Sequence, residues 1–343
     1  MMAPNNRAGR IVSGEGVSEA AEYLGSFPEV FLVYDVAVQV FARSLSGKFP
    51  FRAEYALETS EEAKSMDTVL GICRFLMDNG ASRNALLLAL GGGITTDISG
   101  FAAGIYKRGI SCAFIPTTLL SQVDAAIGGK NGVNLDSYKN MVGLIRQPEF
   151  TYLCPEVLET LPEREFLGGA AELLKTFIIG DREAYREAVE LLSGGRRTPR
   201  EALGSLIQKA AAIKEGIVSR DLYEKGERRL LNLGHTFAHA IEHLAMIKGT
   251  DISHGEAVAM GIVLAGRLSE ALGLAPKGLA SALRADFKAV GLPVESPFPV
   301  QDLGYAMQKD KKAGGNKVNF VVIRDLGDVT TVPLGVMEAI GKL

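Results

Sequence analysis

Residues 85–103 have the sequence ALLLALGGGITTDISGFAA, and this stretch decides the fold class. Its first six residues form an apolar run that predicts a buried strand. Three glycines and a small, helix-compatible segment follow, an order that brings backbone N–H groups and a helix N-terminus to the place where α/β folds bind phosphate. Thr96 stands where the usual dinucleotide motif has its third glycine, so a purely structural turn is an equally good interpretation of this stretch alone.

A second apolar run, residues 112–115, ends in Pro116-Thr117-Thr118. Hydroxyls at the end of a parallel strand lie where open α/β sheets bind ligands. Residues 122–134, QVDAAIGGKNGVN, then combine glycines with a lysine suited to phosphate or carboxylate. A polar surface loop is the usual fate of such segments. The region nevertheless favours ligand binding, because four charged or amide side chains crowd it: Asp124, Lys130, Lys139 and Asn140.

The pattern of the whole chain predicts two domains. Strands alternate with helical patterns up to about residue 150, which predicts a mostly parallel sheet. After Pro155 long amphipathic helical patterns dominate, so we predict an α/β domain over residues 1–155 and a mainly α-helical domain over residues 156–343. Residues 318–323 and 329–332 predict a small hairpin near the C-terminus.

Composition excludes several classes of protein. The net charge is −3, with 37 basic and 40 acidic residues, so no basic excess indicates nucleic acid or an anionic membrane as a partner. The three cysteines are far apart, which indicates reduced thiols and a cytoplasmic location. The N-terminus lacks the apolar core of a signal peptide, and we expect no membrane span because no uncharged apolar run approaches ~18 residues.

Two early acidic residues have structural interpretations that compete with ligand binding. Asp35 ends the apolar run 30–34 and could bind a ribose hydroxyl, although a helix N-cap is the commoner role. Ser60 is predicted to cap an amphipathic helix over 63–79, which places Glu61 in its first turn.

Three of the four histidines lie within nine residues of one another, on a predicted helix over 230–243. His235 and His239 are four residues apart and share a face, whereas His243 drifts away from it. A histidine pair alone is more often structural than metal-binding. His254 favours a metal site instead, because the predicted capping box of Ser253 with Glu256 gives no role to the histidine between them.

A catalytic metal site usually has three protein ligands and one open position. The third ligand should be a carboxylate or a histidine from another helix, and Glu172 is the best candidate because small residues precede it. The competing interpretation is a surface ion pair of Glu172 with Lys175, which would contribute only ~0.3 kcal/mol.

Taken together, the motifs resemble the 3-dehydroquinate synthase family of sugar-phosphate cyclases from about residue 30 to about residue 334. The motifs, in chain order, are GGGITTD, YKRG, IPTTLLSQVDAAIGGKNGVN, YKNMVG, LPEREFLGGAAELLK, KGERRLLNLGHTFAHAIE, SHGEAVAMG and KDKK. The resemblance implies a Rossmann-like NAD-binding domain, a helical metal- and substrate-binding domain, and a homodimer. It also implies NAD and one divalent metal, zinc or alternatively cobalt, as cofactors.

The implied reaction belongs to the shikimate pathway and converts 3-deoxy-D-arabino-heptulosonate 7-phosphate to 3-dehydroquinate and phosphate. It proceeds by transient oxidation with NAD, β-elimination, re-reduction and intramolecular aldol closure. We keep two rival interpretations: an NAD- and metal-dependent polyol dehydrogenase, and a catalytically silent protein that binds metal or nucleotide. A related cyclase that acts on another sugar phosphate is a third, but it would usually vary the substrate pocket.

The resemblance also assigns site residues. The implied metal ligands are Glu172, His235 and His254. The implied NAD contacts are Asp35, Glu61, Lys64, Gly92, Gly93, Asp97, Thr117, Thr118, Lys130, Lys139 and Thr160. The implied substrate and catalytic residues are Asp124, Lys130, Asn140, Lys175, Lys214, Arg228, Asn232, His239 and one lysine of the pair Lys311 and Lys312, of which we choose Lys312. Arg108 is implied to reach the site of the partner subunit. Thr95-Thr96 departs from the family's usual Val-Gly and bears on the geometry of the cofactor loop.

Overall fold

The computed structural model describes residues 9–136, 138–310 and 317–343. Contacts within the chain define two compact units. The first consists of residues 9–161 with Leu203–Ser219, and the second consists of Pro162–Ala202 with the described residues from Arg220 onward. The predicted domain bounds, 1–155 and 156–343, stay a prediction, and these units differ from them mainly in the assignment of Leu203–Ser219.

Strands and helices alternate through the first half of the chain, and helices dominate the second. The strands are β1 (Arg10–Ser13), β2 (Val30–Asp35), β3 (Ala53–Leu57), β4 (Leu86–Gly91), β5 (Ser111–Pro116), β6 (Lys130–Leu135), β7 (Tyr138–Ile145), β8 (Phe150–Leu153), β9 (Val318–Asp325) and β10 (Asp328–Leu334). The α-helices are α1 (Gln39–Ser46), α2 (Met66–Asp78), α3 (Gly93–Ile105), α4 (Glu163–Gly180), α5 (Arg182–Leu192), α6 (Arg200–Arg220), α7 (His235–Lys248), α8 (His254–Ala271), α9 (Leu279–Val290), α10 (Val300–Asp310) and α11 (Val336–Ile340).

The first unit is built on a six-stranded sheet with the order β1-β8-β5-β4-β2-β3. Neighbouring strands pair in parallel, as predicted. Every residue of β4 is buried, which is the pattern of a strand covered on both faces. The predicted α/β fold class with a parallel sheet and a helix-rich remainder is therefore confirmed.

The turn between β4 and α3 follows the prediction from the glycine run. Gly92 is the N-cap residue, and α3 begins at Gly93. A Cβ atom on Gly91 would lie 2.4 Å from Oγ1 of Thr95, so only glycine allows this close approach of strand and helix. Thr117 N donates to Gly91 O at 2.9 Å, which brings the end of β5 beside this turn.

Helix α2 begins later than the sequence predicts. Ser60 does not cap it; its hydroxyl accepts from Ala63 N and closes a turn. The cap is Ser65, whose hydroxyl accepts from Thr68 N, and the helix begins at Met66. The intervening segment is not helical because it makes tertiary contacts, which include an ion pair of Lys64.

Strands β6 and β7 pair as an antiparallel hairpin, in a region where a polar surface loop was one interpretation of the sequence. The apolar side chains of Val142 and Leu144 pack on the core beside α3. The hairpin was not predicted from the sequence, because glycine, asparagine and lysine are depleted in strands.

In the second unit the hairpin of β9 and β10 confirms the prediction for residues 318–332. The predicted helix over 230–243 is only partly correct. Glu227–Asn232 is a short 3-10 helix, and α7 begins at His235 after Gly234 in the left-handed conformation with φ of 78°. Among the described residues, we find no helix of the length and apolarity needed to cross a bilayer.

Helices α4 and α8 approach each other closely at Gly168 and Gly255. A Cβ atom on Gly255 would lie 2.2 Å from the Cα atom of Gly168 and 2.5 Å from its carbonyl oxygen. The relation is not symmetric, because a Cβ atom on Gly168 would lie 3.8 Å from the Cα atom of Gly255, an ordinary contact.

We therefore expect Gly255→Ala to lower the free energy of unfolding by about 3 kcal/mol, since backbone must move to admit the methyl group. Gly168→Ala is the matched control and should be neutral or stabilising by about 0.5 kcal/mol, because alanine favours helix interiors. Urea unfolding followed by circular dichroism measures both. Equal losses for the two variants would contradict this account of the helix contact.

Candidate active site

Three side chains of the second unit converge as a possible metal site. Glu172 lies in α4 and is fully buried, while His235 and His254 are the first residues of α7 and α8. One ligand atom from each lies within 4.8 Å of the other two. Oε1 of Glu172 is 3.2 Å from Nε2 of His254 and 3.6 Å from Nε2 of His235.

The outer nitrogens of both histidines have partners that orient the rings. Nδ1 of His235 lies 3.2 Å from the carbonyl oxygen of Leu233. Nδ1 of His254 lies 3.5 Å from Oε1 of Glu242. Such contacts fix the ring so that Nε2 faces inward, as in protein zinc sites. Two imidazole nitrogens and a carboxylate oxygen are a donor set that suits zinc and related divalent cations.

Lys175 approaches Glu172 inside the protein and not at its surface. Its Nζ atom lies 2.5 Å from Oε2 of Glu172, and both side chains are buried. The interpretation of this pair as a surface ion pair is therefore wrong. Burial by itself raises the pKa of Glu172, but Lys175 and the histidines outweigh it and hold that pKa well below its ordinary value.

Charge around the triad favours a cation. Burial disfavours a charged His254, yet its bonds to Glu172 and Glu242 dominate and raise its pKa to about 10. Two carboxylates facing one ring thus attract positive charge, which a divalent cation can supply in place of a proton. The residues present fit a metal by both geometry and charge.

Other predicted residues of the second unit lie on the short segment before α7 or on α7 itself. The His239 ring is 5.6 Å from the His235 ring, and the side chain is exposed. Arg228 is buried and donates from Nη1 to Leu222 O at 2.7 Å. Asn232 donates from Nδ2 to Oε1 of Glu224 at 2.6 Å. His243, the weakest ligand candidate, is not part of the triad.

Two acidic residues of the preceding loop were missed in the sequence. Asp221 accepts backbone N–H bonds from Lys225, Gly226 and Arg228 and shapes the loop. Bonds from Gly226 and Lys225 lower its pKa. Glu224, the partner of Asn232, has φ of 56°. An aspartate shortly before a Lys-Gly pair is a turn pattern, but nothing local marks Glu224.

In the first unit, Lys64 connects two other predicted residues. Its Nζ atom lies 2.6 Å from Oδ2 of Asp97 and 2.6 Å from Oδ1 of Asn140. Burial raises the pKa of Asp97 to about 6, against the attraction of the Lys64 ammonium. Three residues that are distant in sequence and were assigned to NAD or substrate are thus in direct contact.

Lys214 and Asp124 form a second contact of this kind. The Lys214 ammonium is buried and donates to the carboxylate of Asp124 and, at 2.5 Å, to its carbonyl oxygen. Lys214 lies in α6, within the segment of that helix that belongs to the first unit.

The remaining predicted cofactor residues occupy more scattered positions. Gly92, Gly93, Thr117 and Thr118 lie at the ends of β4 and β5. Asp35 caps the short helix after β2, accepting from Ala37 N, and also accepts from the Thr59 hydroxyl. Thr160 ends a short 3-10 helix and is exposed. Lys130, Lys139 and Arg108 are exposed, and Lys312 lies outside the described residues.

Comparison with known proteins identifies the family. The family descriptions "3-dehydroquinate synthase N-terminal" and "3-dehydroquinate synthase C-terminal" match residues 54–168 and 169–313. The chain belongs to the 3-dehydroquinate synthase family. The 3-dehydroquinate synthase of Acidithiobacillus ferrooxidans is 41% identical over 272 residues, which span 79% of this chain and 74% of that protein. The predicted resemblance is confirmed.

Solved structures of other synthases are similar to this chain in fold and in sequence. The 2-epi-5-epi-valiolone synthase of Streptomyces hygroscopicus, with NAD+ and Zn2+ bound, has a TM-score of 0.88 and 26% identity, covering 99% of this chain and 97% of that chain. A 2-deoxy-scyllo-inosose synthase bound to carbaglucose-6-phosphate, NAD+ and Co2+ has a TM-score of 0.84 and 25% identity, covering 97% and 95%. Both similar proteins are synthases whose structures hold NAD+ and a divalent metal.

For this member of the 3-dehydroquinate synthase family, we expect Asp97→Asn to change how stability depends on pH. The pKa of Asp97 is about 6 in the folded protein against 3.8 ordinarily, so folding favours its protonated form. The wild type should therefore lose stability relative to the variant as the pH rises from about 4 to about 7, by about 2 kcal/mol in all.

Unfolding free energies of both proteins across this pH range measure the effect, without added NAD. Asp78→Asn, which changes an exposed carboxylate at the end of α2, is the control. Parallel profiles for the wild type and Asp97→Asn would contradict the raised pKa.

Proposed function

We propose that the protein converts 3-deoxy-D-arabino-heptulosonate 7-phosphate to 3-dehydroquinate and phosphate, as a carbon–oxygen lyase of the shikimate pathway. The main support is the convergence of Glu172, His235, His254 and the buried Lys175 in a chain 41% identical to a 3-dehydroquinate synthase. A polyol dehydrogenase is not favoured, because relatives at this level of identity are synthases.

The proposed cofactors fit the residues present. Glu172, His235 and His254 would hold one divalent metal, zinc or cobalt. The β4–α3 turn, with Gly92, Gly93 and the neighbouring threonines, together with Asp35, Glu61, Lys64, Asp97, Lys130, Lys139 and Thr160, would hold NAD. When bound, NAD supplies a reversible hydride acceptor and the metal supplies a Lewis acid.

Cationic side chains are proposed to bind the anionic groups of the substrate, a carboxylate and a phosphate. On the family resemblance, we assign this role to Lys130, Lys175, Lys214 and Arg228. Lys175, Lys214 and Arg228 are buried, and buried cationic groups bind anions strongly because little water competes with them. Lys214 and Arg228 are already oriented by hydrogen bonds to carbonyl oxygens, which lowers the entropy lost on binding.

The remaining residues are assigned to hydrogen bonding and to proton movement. Asp124, Asn140 and Asn232 would orient hydroxyl groups of the substrate. His239, exposed beside His235, would donate to the phosphate or relay a proton, and the departing phosphate itself would serve as the base. Lys175 would keep the Glu172 carboxylate ionised through the reaction. One lysine of the pair Lys311 and Lys312, chosen as Lys312, is proposed on the resemblance alone.

The proposed reaction is redox-neutral overall, which separates it from its rivals in one assay. We expect phosphate release from 3-deoxy-D-arabino-heptulosonate 7-phosphate in the presence of NAD, with no accumulation of absorbance at the NADH wavelength. A chelator should abolish the release by removing the metal, and added Zn2+ or Co2+ should restore it.

The other outcomes decide between the rivals. NADH that accumulates with polyols would contradict the proposal in favour of a dehydrogenase. No signal after metal is restored would favour a catalytically silent binding protein. For the variant Lys175→Met, which changes a buried lysine, Lys248→Met at an exposed lysine of the second unit is the control.

We further propose a homodimer in which Arg108 acts in the site of the partner subunit. Arg108 is exposed and follows Lys107, and both have positive φ, 67° and 48°. Two consecutive non-glycine residues in this region are costly, and such strain concentrates at functional sites. We also place the protein in the cytoplasm, since its cysteines are free thiols.

Hybrid dimers test the role of Arg108. We expect Arg108→Ala and Lys175→Met each to lose at least about 99% of activity, because each removes a cation of the site. Co-expressed with different tags, they should recover about one quarter of wild-type activity, since half of the dimers are hybrids and each hybrid has one intact site. Co-expression of Lys175→Met with Arg228→Ala should recover nothing. If co-expression of Lys175→Met with Arg108→Ala also recovers no activity, Arg108 does not act in the site of the partner subunit.

A further inference from the structure

The β6–β7 hairpin has an irregular register at the residues assigned to ligands. Val133 pairs with Val142, and the next pair is Leu135 with Tyr138. Asn134 alone on β6 therefore faces residues 139–141 on β7. Such an irregularity bends a strand and redirects side chains, and it leaves backbone groups without partners in the ladder.

The side chain of Asn134 replaces the missing partner. Its Oδ1 atom accepts the backbone N–H of Asn140 at 2.9 Å. Because that N–H can only donate, the carbonyl end of the amide must face it. Asn140 has φ of 57°, a left-handed conformation that the regular ladder would not accommodate.

The other end of the Asn134 amide faces the segment Glu61–Lys64. Its Nδ2 atom donates to Oε1 of Glu61 at 2.8 Å and to the backbone oxygen of Glu61 at 3.3 Å. The backbone N–H of Asn134 donates to the carbonyl oxygen of Lys64 at 2.8 Å. Asn134 thus binds both ends of this short segment while it holds Asn140.

Lys64 also contacts Asn140 directly, because its ammonium lies 2.6 Å from Oδ1 of the Asn140 side chain. The side chain of Asn140 is therefore oriented by Lys64 and its backbone by Asn134. Among the described residues, the hydrogen bonds of Asn134 go to Glu61, Lys64 and Asn140, each of which is assigned to NAD or to substrate.

We infer that Asn134 is a positioning residue that joins the NAD-binding segment Glu61–Lys64 to Asn140, so that cofactor and substrate affinity both depend on one amide. The inference rests on the proposed function, since the roles of Glu61, Lys64 and Asn140 come from it. Asn134 itself acts only through these residues.

Two variants at position 134 separate the two ends of the amide. Asn134→Ala removes both, and we expect the KM for substrate and the Kd for NAD each to rise about fivefold to tenfold, with kcat within about threefold. Asn134→Asp keeps the acceptor for Asn140 N–H but turns a carboxylate toward Glu61. It should weaken NAD binding at least as much as the alanine variant.

Hydrogen exchange of the intact chain gives a readout that does not depend on turnover. In peptides that span the β6–β7 hairpin, Asn134→Ala should speed exchange of the Asn140 amide about tenfold, whereas Asn134→Asp should leave it within about twofold. Asn79→Ala is the matched control, because the Asn79 side chain donates locally, to Phe75 O at the end of α2. It should change neither exchange in the hairpin nor either affinity.

A double-mutant cycle with Asn140→Ala completes the test. The effect of Asn134→Ala on KM should vanish in the Asn140→Ala background, while its effect on NAD affinity persists. Additive effects on KM would overturn the inference, as would an unchanged NAD Kd in Asn134→Ala. If Asn140→Ala alone leaves KM unchanged, the assigned substrate role of Asn140 is wrong, and the proposed site falls together with the inference.

Discussion

The buried carboxylate of Glu172 is the constraint on which the candidate metal site depends. Removing an ionised carboxylate from water costs several kcal/mol unless cations compensate. One of its oxygens faces the Lys175 ammonium, and the other faces the inner nitrogens of His235 and His254. The carboxylate therefore stays ionised, and its second oxygen keeps a negative charge beside the histidines, where it would attract a divalent cation.

Glycines next to the two histidines make this convergence possible. Gly255 follows His254 and admits the backbone of α4, while Gly234 precedes His235 and begins α7 in a left-handed conformation. A Cβ atom on Gly261 would lie 2.2 Å from the carbonyl oxygen of Gly234, so α7 and α8 also touch through glycine. Each helix start that presents a histidine is therefore held by backbone contact, which a larger side chain would prevent.

Local patterns predicted the parts of the structure that depend on local physics. The apolar run and glycines of β4 and α3, the parallel sheet and the C-terminal hairpin follow from periodicity and turn residues. The start of α2 was predicted wrongly because tertiary contacts of Lys64 override the capping preference of Ser60. The burial of Lys175 with Glu172 could not be predicted, since a spacing of three residues looks the same on a buried helix face as on an exposed one. Choosing His254 over His239 as a ligand required the family resemblance.

The β6–β7 hairpin shows a second limit of sequence patterns. A regular strand pair supplies each backbone N–H with an acceptor, but it also forces side chains to alternate between two faces. Turning Asn140 toward Lys64 breaks that alternation and leaves its N–H without a ladder partner. The side-chain oxygen of Asn134 accepts this N–H in place of a ladder partner. Asn134 therefore belongs to the network of Glu61, Lys64 and Asn140 through its hydrogen bonds, and no spacing rule could have identified it.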